Sequence, residues 1–101
     1  MVQVVPIKLD NGETVIGVEV KLPKTTLLTI STDKGYIMCG ALDVLLLNEK
    51  LREREIIAGR AVGVRNLEQL LEAPLESVTI KAEQLGIFAG MKGAEALKRM
   101  L

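Results

Sequence analysis

The residues best suited to chemistry in this chain lie in the run GYIMCGALD, residues 35–43. Its apolar part predicts a strand over residues 36–39, and Gly40 begins a predicted helix, so the only cysteine falls at a strand-to-helix junction. Unpaired N–H groups at a helix N-terminus carry partial positive charge, which stabilises a thiolate and attracts anions. The junction is therefore a candidate site for thiol chemistry or anion binding, although it names no reaction.

Cys39 also has a purely structural interpretation, because cysteine on a buried strand usually serves as a small apolar core residue. A thiol enzyme needs a base, and the chain has no histidine, which leaves Asp43 and Lys24 as the nearby candidates. Asp43 is equally explained by a favourable interaction with the helix dipole. Cys39 and Asp43 are thus the candidate catalytic residues, each with a structural alternative.

Arg60 is the most informative charge, since it lies within a predicted strand over residues 56–64, beside Ala58 and Val62. A buried guanidinium without a partner costs several kcal/mol. An ion pair with Asp43 is the first interpretation. A bound phosphate or carboxylate is the alternative.

Several polar groups fall at predicted strand ends in an otherwise apolar chain. In a meander, the start of the third strand lies beside the end of the fourth, so these groups can converge on one pocket. Arg65 has surface exposure as its simpler explanation, and the sequence Lys24-Thr25-Thr26 lacks the glycine-rich spacing of a nucleotide loop. The candidate ligand-binding residues, taken together with the thiol, are Lys24, Thr25, Cys39, Gly40, Arg60 and Arg65.

The composition argues against several classes of site. We expect no metal site, because the chain has one cysteine, no histidine and only scattered carboxylates. We also expect no cofactor, because the sequence contains no dinucleotide-binding fingerprint. Thirteen basic residues balance 13 acidic ones, and there is one Phe, one Tyr and no Trp, so we expect no nucleic-acid partner. We also expect no membrane span, no signal peptide and a cytoplasmic location, because a single cysteine suits a reducing compartment.

Periodicity, turn residues and caps predict one α+β domain over residues 1–101. We expect a mostly antiparallel sheet of about five strands, with three to four helices packed on one face. The predicted strands cover residues 2–9, 13–22, 26–31, 36–39 and 56–64. The predicted helices cover residues 40–54, 67–72, 74–85 and 93–100.

The apolar fraction, 49%, is high for so short a chain. The predicted helix over residues 40–54 is apolar nearly all round, and Leu51 contributes to this. The predicted strand over residues 56–64 has one face rich in small residues, which lets another surface approach closely. We therefore expect a homo-oligomer, with a dimer favoured.

With these segments assigned, the chain resembles the YunC-like family, small bacterial and archaeal proteins classed as a domain of unknown function. The resemblance covers nearly the whole chain and implies a compact α+β fold, with no established activity and no catalytic residues to carry over. The segments that carry it are VKLPKT (20–25), GYIMCGALDV (35–44), LNEKLRER (47–54), AGRAVGVR (58–65), LLEAPLESVT (70–79), and the C-terminal LGI, GM and EAL.

Two functional hypotheses follow from the sequence. The first is a self-associating domain that binds a small anionic ligand or a protein partner. The second is a small cysteine-dependent enzyme that uses the Cys39-Gly40 junction. We favour the first, because the missing histidine makes a catalytic site harder to assemble.

Overall fold

The computed structural model describes residues 1–49 and 52–101. It is an α+β fold, as the sequence predicts, and its described part contains six strands and four α-helices. The elements are β1 (Val2–Lys8), β2 (Thr14–Leu22), β3 (Thr25–Ser31), β4 (Gly35–Met38), α1 (Val44–Glu49), a 3-10 helix (Arg52–Arg54), β5 (Ile57–Arg60), α2 (Leu67–Glu72), β6 (Ser77–Val78), α3 (Ile80–Gln84) and α4 (Gly93–Arg99).

The strands form one mixed sheet in the order β1-β2-β3-β4-β5-β6. Neighbouring strands are antiparallel except β4 and β5, which pair in parallel with Met38 beside Arg60. The parallel pair arises because the chain leaves β4, crosses through α1 and returns in the same direction. The sheet is thus largely antiparallel as predicted, but it is mixed and gains a sixth strand.

The sixth strand corrects the helix predicted over residues 74–85. Ser77 and Val78 pair with β5 instead, and α3 begins only at Ile80. The Thr79 hydroxyl accepts hydrogen bonds from the backbone N–H groups of Ala58 and Ala82, so it joins β5 to the start of α3. The β-branched residues here favour extended backbone, and the free edge of β5 supplies the partner.

The helix predicted over residues 40–54 is also shorter than expected. It begins at Val44, because the Asp43 carboxylate caps it by accepting a hydrogen bond from the Leu46 N–H at 2.9 Å. The helix is described as far as Glu49, and a 3-10 helix covers Arg52–Arg54. Lys50 and Leu51, which the prediction placed in this helix, lie outside the described residues. The strand predicted over residues 56–64 is reduced to Ile57–Arg60.

Helices cover both faces of the sheet, which corrects the expectation of helices on one face only. On the face we call the helical face, Ile30 and Ile37 lie in the main core together with residues of α2, α3 and α4. On the opposite face, the open face, Ala58 and Tyr36 pack with α1 in a second, smaller core cluster. A crossover between parallel strands requires its helix to lie against the sheet, and here α1 takes the face left free by the other helices.

The predictions of α2 and α4 are confirmed. The Asn66 side chain caps α2 by accepting a hydrogen bond from the Gln69 N–H at 2.8 Å, and α4 spans Gly93–Arg99. No helix in the described ranges is long and apolar enough to cross a membrane.

Candidate functional site

A cleft opens beyond the carboxyl ends of the parallel strands β4 and β5. This position is where ligands bind in many sheets that contain parallel strands, because the loops that follow the strands diverge there. The cleft has a volume of about 640 Å³. We call it the crossover cleft; its polar lining consists of Gly40, Asp43, Asn48, Arg60, Glu76 and Ser77, with apolar residues of α1 on one side.

Arg60 lies where β5 ends at this cleft, and its side chain is held on two sides. The Gly40 carbonyl accepts hydrogen bonds from Nε at 3.3 Å and from Nη2 at 3.1 Å. Nη1 donates to Glu76 Oε2 at 2.7 Å, with the two side chains 30% and 43% exposed. The guanidinium is therefore oriented by the protein while remaining reachable from solvent.

The ion pair predicted between Arg60 and Asp43 is wrong. Arg60 pairs with Glu76, and the Asp43 carboxylate caps α1. The reason is local: a carboxylate in the position before a helix satisfies a free backbone N–H of the first turn, which also benefits from the helix dipole. Asp43 lines the cleft, but its oxygen atom Oδ1 is engaged in the cap.

Cys39 lies outside the cleft. Its side chain is 7% exposed and belongs to the main core on the helical face. Side chains alternate along an extended strand, so Cys39 shares the face of Ile37, whereas Met38 and its partner Arg60 point to the open face. The expectation that the thiol sits directly at a helix N-terminus is wrong, because α1 begins only at Val44.

The other predicted ligand residues do not join the cleft. Lys24 forms the turn between β2 and β3 with a φ of 66°, and Thr25 begins β3; both are exposed. Arg65 is exposed before α2, and its backbone N–H donates to the Gln69 side chain at 2.7 Å. Of the predicted site residues, the structure brings together Gly40, Asp43 and Arg60, and it separates Lys24, Thr25, Cys39 and Arg65 from them.

Three polar lining residues, Glu76, Ser77 and Asn48, were not among the site residues predicted from the sequence. Glu76 fell inside a segment predicted as helix, where a surface carboxylate is unremarkable. The Asn48 side chain accepts a hydrogen bond from the Ile80 N–H at 2.9 Å and so links α1 to the start of α3. A single amide in the apolar run LLLN was the available signal for a polar contact between elements. The β-branched run Val78-Thr79-Ile80 was the signal against a helix over residues 74–85.

Tyr36 and Lys98, whose pKa values are shifted from their ordinary values, form no hydrogen bond with the Arg60 guanidinium. Burial raises the pKa of the Tyr36 phenol, which packs beside α1. Hydrogen bonds to Asp10 and then Glu95 raise the pKa of Lys98, which joins the β1–β2 turn to α4. Within residues 1–49 and 52–101, no three Cys, Asp or Glu side chains are grouped as metal ligands.

Comparison with known proteins places the chain in a family. The profile of DUF1805, described as a domain of unknown function, matches residues 38–100, which include β5 and the whole crossover cleft. The chain belongs to this family. It is 61% identical over 101 residues to the uncharacterised protein YunC of Bacillus subtilis (strain 168), covering 100% of this chain and 99% of that protein.

A solved relative has the same fold. The crystal structure of a protein of unknown function from Thermoplasma acidophilum superposes with a TM-score of 0.87 at 28% identity, covering 100% of this chain and 94% of that one. The family and the resemblance seen in the sequence therefore agree. Neither description names an activity, so the chemistry of the site rests on the geometry of its residues.

Proposed function

We propose that this protein is a binding domain whose crossover cleft takes a small anionic ligand, such as a phosphate or a carboxylate, on the guanidinium of Arg60. The observation that carries the proposal is the position of Arg60. It is fixed by the Gly40 carbonyl and Glu76 at the carboxyl ends of two parallel strands, and it remains 30% exposed. The cleft volume of about 640 Å³ lies within the range of small-molecule sites.

The hydrogen-bond inventory of Arg60 leaves capacity for a ligand. A guanidinium has five N–H donors, and three of them are engaged with Gly40 and Glu76. The remaining two, one on each terminal nitrogen, have no partner in the described part of the chain. Planar pairs of donors of this kind suit the oxygen atoms of a carboxylate or phosphate.

Glu76 sets the expected strength of binding. Its carboxylate neutralises Arg60 and occupies one terminal nitrogen, so an incoming anion must share the guanidinium with it or displace it. Hydrogen bonds to charged groups contribute about 1.5–3 kcal/mol each. Two such bonds, opposed by repulsion from Glu76, support dissociation constants in the millimolar range or somewhat tighter.

The alternative hypothesis of a cysteine-dependent enzyme has weaker support. Cys39 is buried in the main core on the opposite face of the sheet from Arg60, and Asp43 is engaged as a helix cap. A nucleophile needs a base within about 3 Å and access for a substrate. The positions of these residues do not favour that arrangement.

Isothermal titration calorimetry with inorganic phosphate and with succinate tests the proposal. We expect wild-type protein to bind at least one of the two anions, and Arg60→Met to lose the binding heat. Arg65→Met is the matched control, because it removes an exposed arginine outside the cleft, and it should bind as wild type does. Equal binding by Arg60→Met and wild type, or no binding of either anion by wild type, would refute the proposal.

A further inference from the structure

The open face of the sheet is partly exposed over β1, β2 and β3. Val2, Val4 and Ile16 are exposed there, and Val18, Val20 and Leu27 are half-buried. Alternation places an apolar set of side chains on this face, in register across the strands: Val4 pairs with Val18, and Val2 with Val20 and then Leu27. The same face also carries Lys8 at the end of β1, and Thr29 and Ser31 in β3. Val4 is 65% exposed. We call this surface the apolar shelf, formed by Val2, Val4, Ile16, Val18, Val20 and Leu27.

Helix α1 stands next to the shelf on the same face. It packs on β4 and β5 through Val44 and Leu47, which contact the cluster around Ala58. Leu45 is 65% exposed and also lines the crossover cleft, and Leu46 is exposed as well. The open face therefore consists of a flat apolar shelf beside an apolar ridge.

The edge of the sheet does not offer a simpler route to association. The Met1 carbonyl accepts a hydrogen bond from the Lys21 N–H, so the odd-numbered residues of β1 form the backbone hydrogen bonds to β2. The backbone N–H and C=O groups of the even-numbered residues, which include Val4 and Pro6, therefore point away from β2 at the edge of the sheet. Proline has no N–H to donate, and it interrupts this outward row near its middle. Addition of another strand to β1 is thereby disfavoured, which leaves the face itself.

We infer that a second copy of this chain covers the open face, with the shelf of each copy packed against the α1 ridge of the other about a two-fold axis. The shelf and the ridge lie side by side on one surface of the molecule. A two-fold axis perpendicular to the line from shelf to ridge therefore places the shelf of each copy opposite the ridge of the other. The six shelf residues are uncharged and offer no counter-charge to a charged partner, and Lys8 lies beyond them at the end of β1. A second copy supplies a surface of matching shape and matching apolar character.

The area is consistent with this occupant. Three strands about 4.8 Å apart and about seven residues long, at roughly 3.3 Å per residue, give the shelf a flat footprint of roughly 330 Å². A standard interface buries about 800 Å² per partner, of which about 60% is apolar. Part of this footprint is polar, at Lys8, Thr29 and Ser31. The exposed Leu45 and Leu46 of α1 add apolar surface beside it, so the open face supplies an area of the order that such an interface needs.

Sedimentation velocity with two charged variants and their mixture tests the dimer. Val4→Glu places a carboxylate on the shelf, and Leu45→Lys places an ammonium on the ridge. Both positions are 65% exposed, so each variant should keep the wild-type circular dichroism spectrum. We expect wild type to be a dimer at about 50 μM, each variant alone to be at least tenfold weaker, and the equimolar mixture to recover a dimer. A dimer of the two variants has one contact in which the introduced Glu of one copy faces the introduced Lys of the other. Its second contact joins an unchanged shelf to an unchanged ridge.

Phe88→Glu is the control, since Phe88 is 53% exposed in the loop before α4 and lies off the open face. It should leave the wild-type dimer intact. A monomeric wild type, a dimer that withstands both charged variants, or a mixture that stays monomeric would overturn the inference. Leu45 also lines the crossover cleft, so the two proposals are separated by their variants. Arg60→Met should lose anion binding and still sediment as wild type does, whereas Val4→Glu should lose the dimer and keep anion binding.

Discussion

Arg60 Nη1 lies 2.7 Å from Glu76 Oε2 across the crossover cleft, although the two residues are 16 positions apart in the chain. The pair exists because Ser77 and Val78 add β6 alongside β5, which brings the preceding carboxylate next to the guanidinium. Both side chains are partly exposed, so the pair contributes at most about 1 kcal/mol to folding. Its main consequence is for ligand binding, because it governs how free the guanidinium is.

Replacing Glu76 by Gln should strengthen anion binding in the crossover cleft. The substitution removes the negative charge that lies next to the Arg60 guanidinium, and it retains a side chain of the same size. We expect phosphate or succinate affinity to rise three- to tenfold by calorimetry, with a loss of less than about 1 kcal/mol in the free energy of unfolding. Glu72→Gln is a suitable control, since Glu72 pairs loosely with Lys92 outside the cleft. Unchanged affinity in Glu76→Gln would mean that the anion does not use Arg60.

Cys39 should resist alkylation in the native protein, because its thiol is buried in the main core. We expect iodoacetamide to label it at least 100-fold more slowly in buffer than in guanidinium chloride, since labelling requires local or global opening. Ala41→Cys in a Cys39→Ala background places a thiol at an exposed position of the cleft and gives the reference rate. If native Cys39 reacts as fast as this reference, the thiol is accessible and the enzymatic hypothesis regains support.

The sequence predicted the architecture better than it predicted the site. Strong local signals, such as Asn66 as a cap and the turn residues at 10–12, led to the correct α2 and the correct first hairpin. The segment at Ser77 was assigned to the wrong element, because a two-residue strand depends on a distant partner and has no periodicity of its own. That error hid Glu76 and led to Asp43 as the partner of Arg60.

The position of the thiol shows the same limit on a smaller scale. A strand, a glycine and an apolar run suggest a direct junction, yet the Asp43 cap delays the helix until Val44. Which face Cys39 occupies depends on where β4 begins and on what covers each face of the sheet. These are tertiary properties that a run of nine residues does not contain.

Gly93 should tolerate a side chain poorly, because it begins α4 in close contact with the neighbouring helix and strand. A Cβ atom there would meet the Leu70 carbonyl oxygen and lie 2.8 Å from Ile37 Cδ1. We expect Gly93→Ala to destabilise the fold by about 1–3 kcal/mol in urea titrations. Gly40→Ala is the matched control, since the nearest atom, Arg60 Nη2, would lie 3.6 Å away in ordinary contact. Equal stability of both variants would contradict the described packing of α4.

The stability of the fold should fall in alkaline solution. Hydrogen bonds to Asp10 and then Glu95 raise the pKa of Lys98, and burial raises the pKa of Tyr36. When the pKa of a group is higher in the folded state than in the unfolded state, the group stabilises the fold fully at pH values below its unfolded-state pKa, which is about 10 for both groups. This stabilisation is lost as the pH rises through the folded-state pKa. Lys98→Met should show a shallower decline above about pH 10 in urea titrations, whereas Lys24→Met should follow wild type. Identical curves for wild type and Lys98→Met would contradict this coupling.

The most direct test of the crossover cleft is a nuclear magnetic resonance titration of the amide groups with inorganic phosphate. We expect the largest shifts at Gly40, Ala41, Arg60 and Ser77, which line the cleft, and we expect these shifts to be lost in Arg60→Met. Largest shifts at Lys24, Thr25 or Arg65, or shifts that persist unchanged in Arg60→Met, would contradict the proposed site.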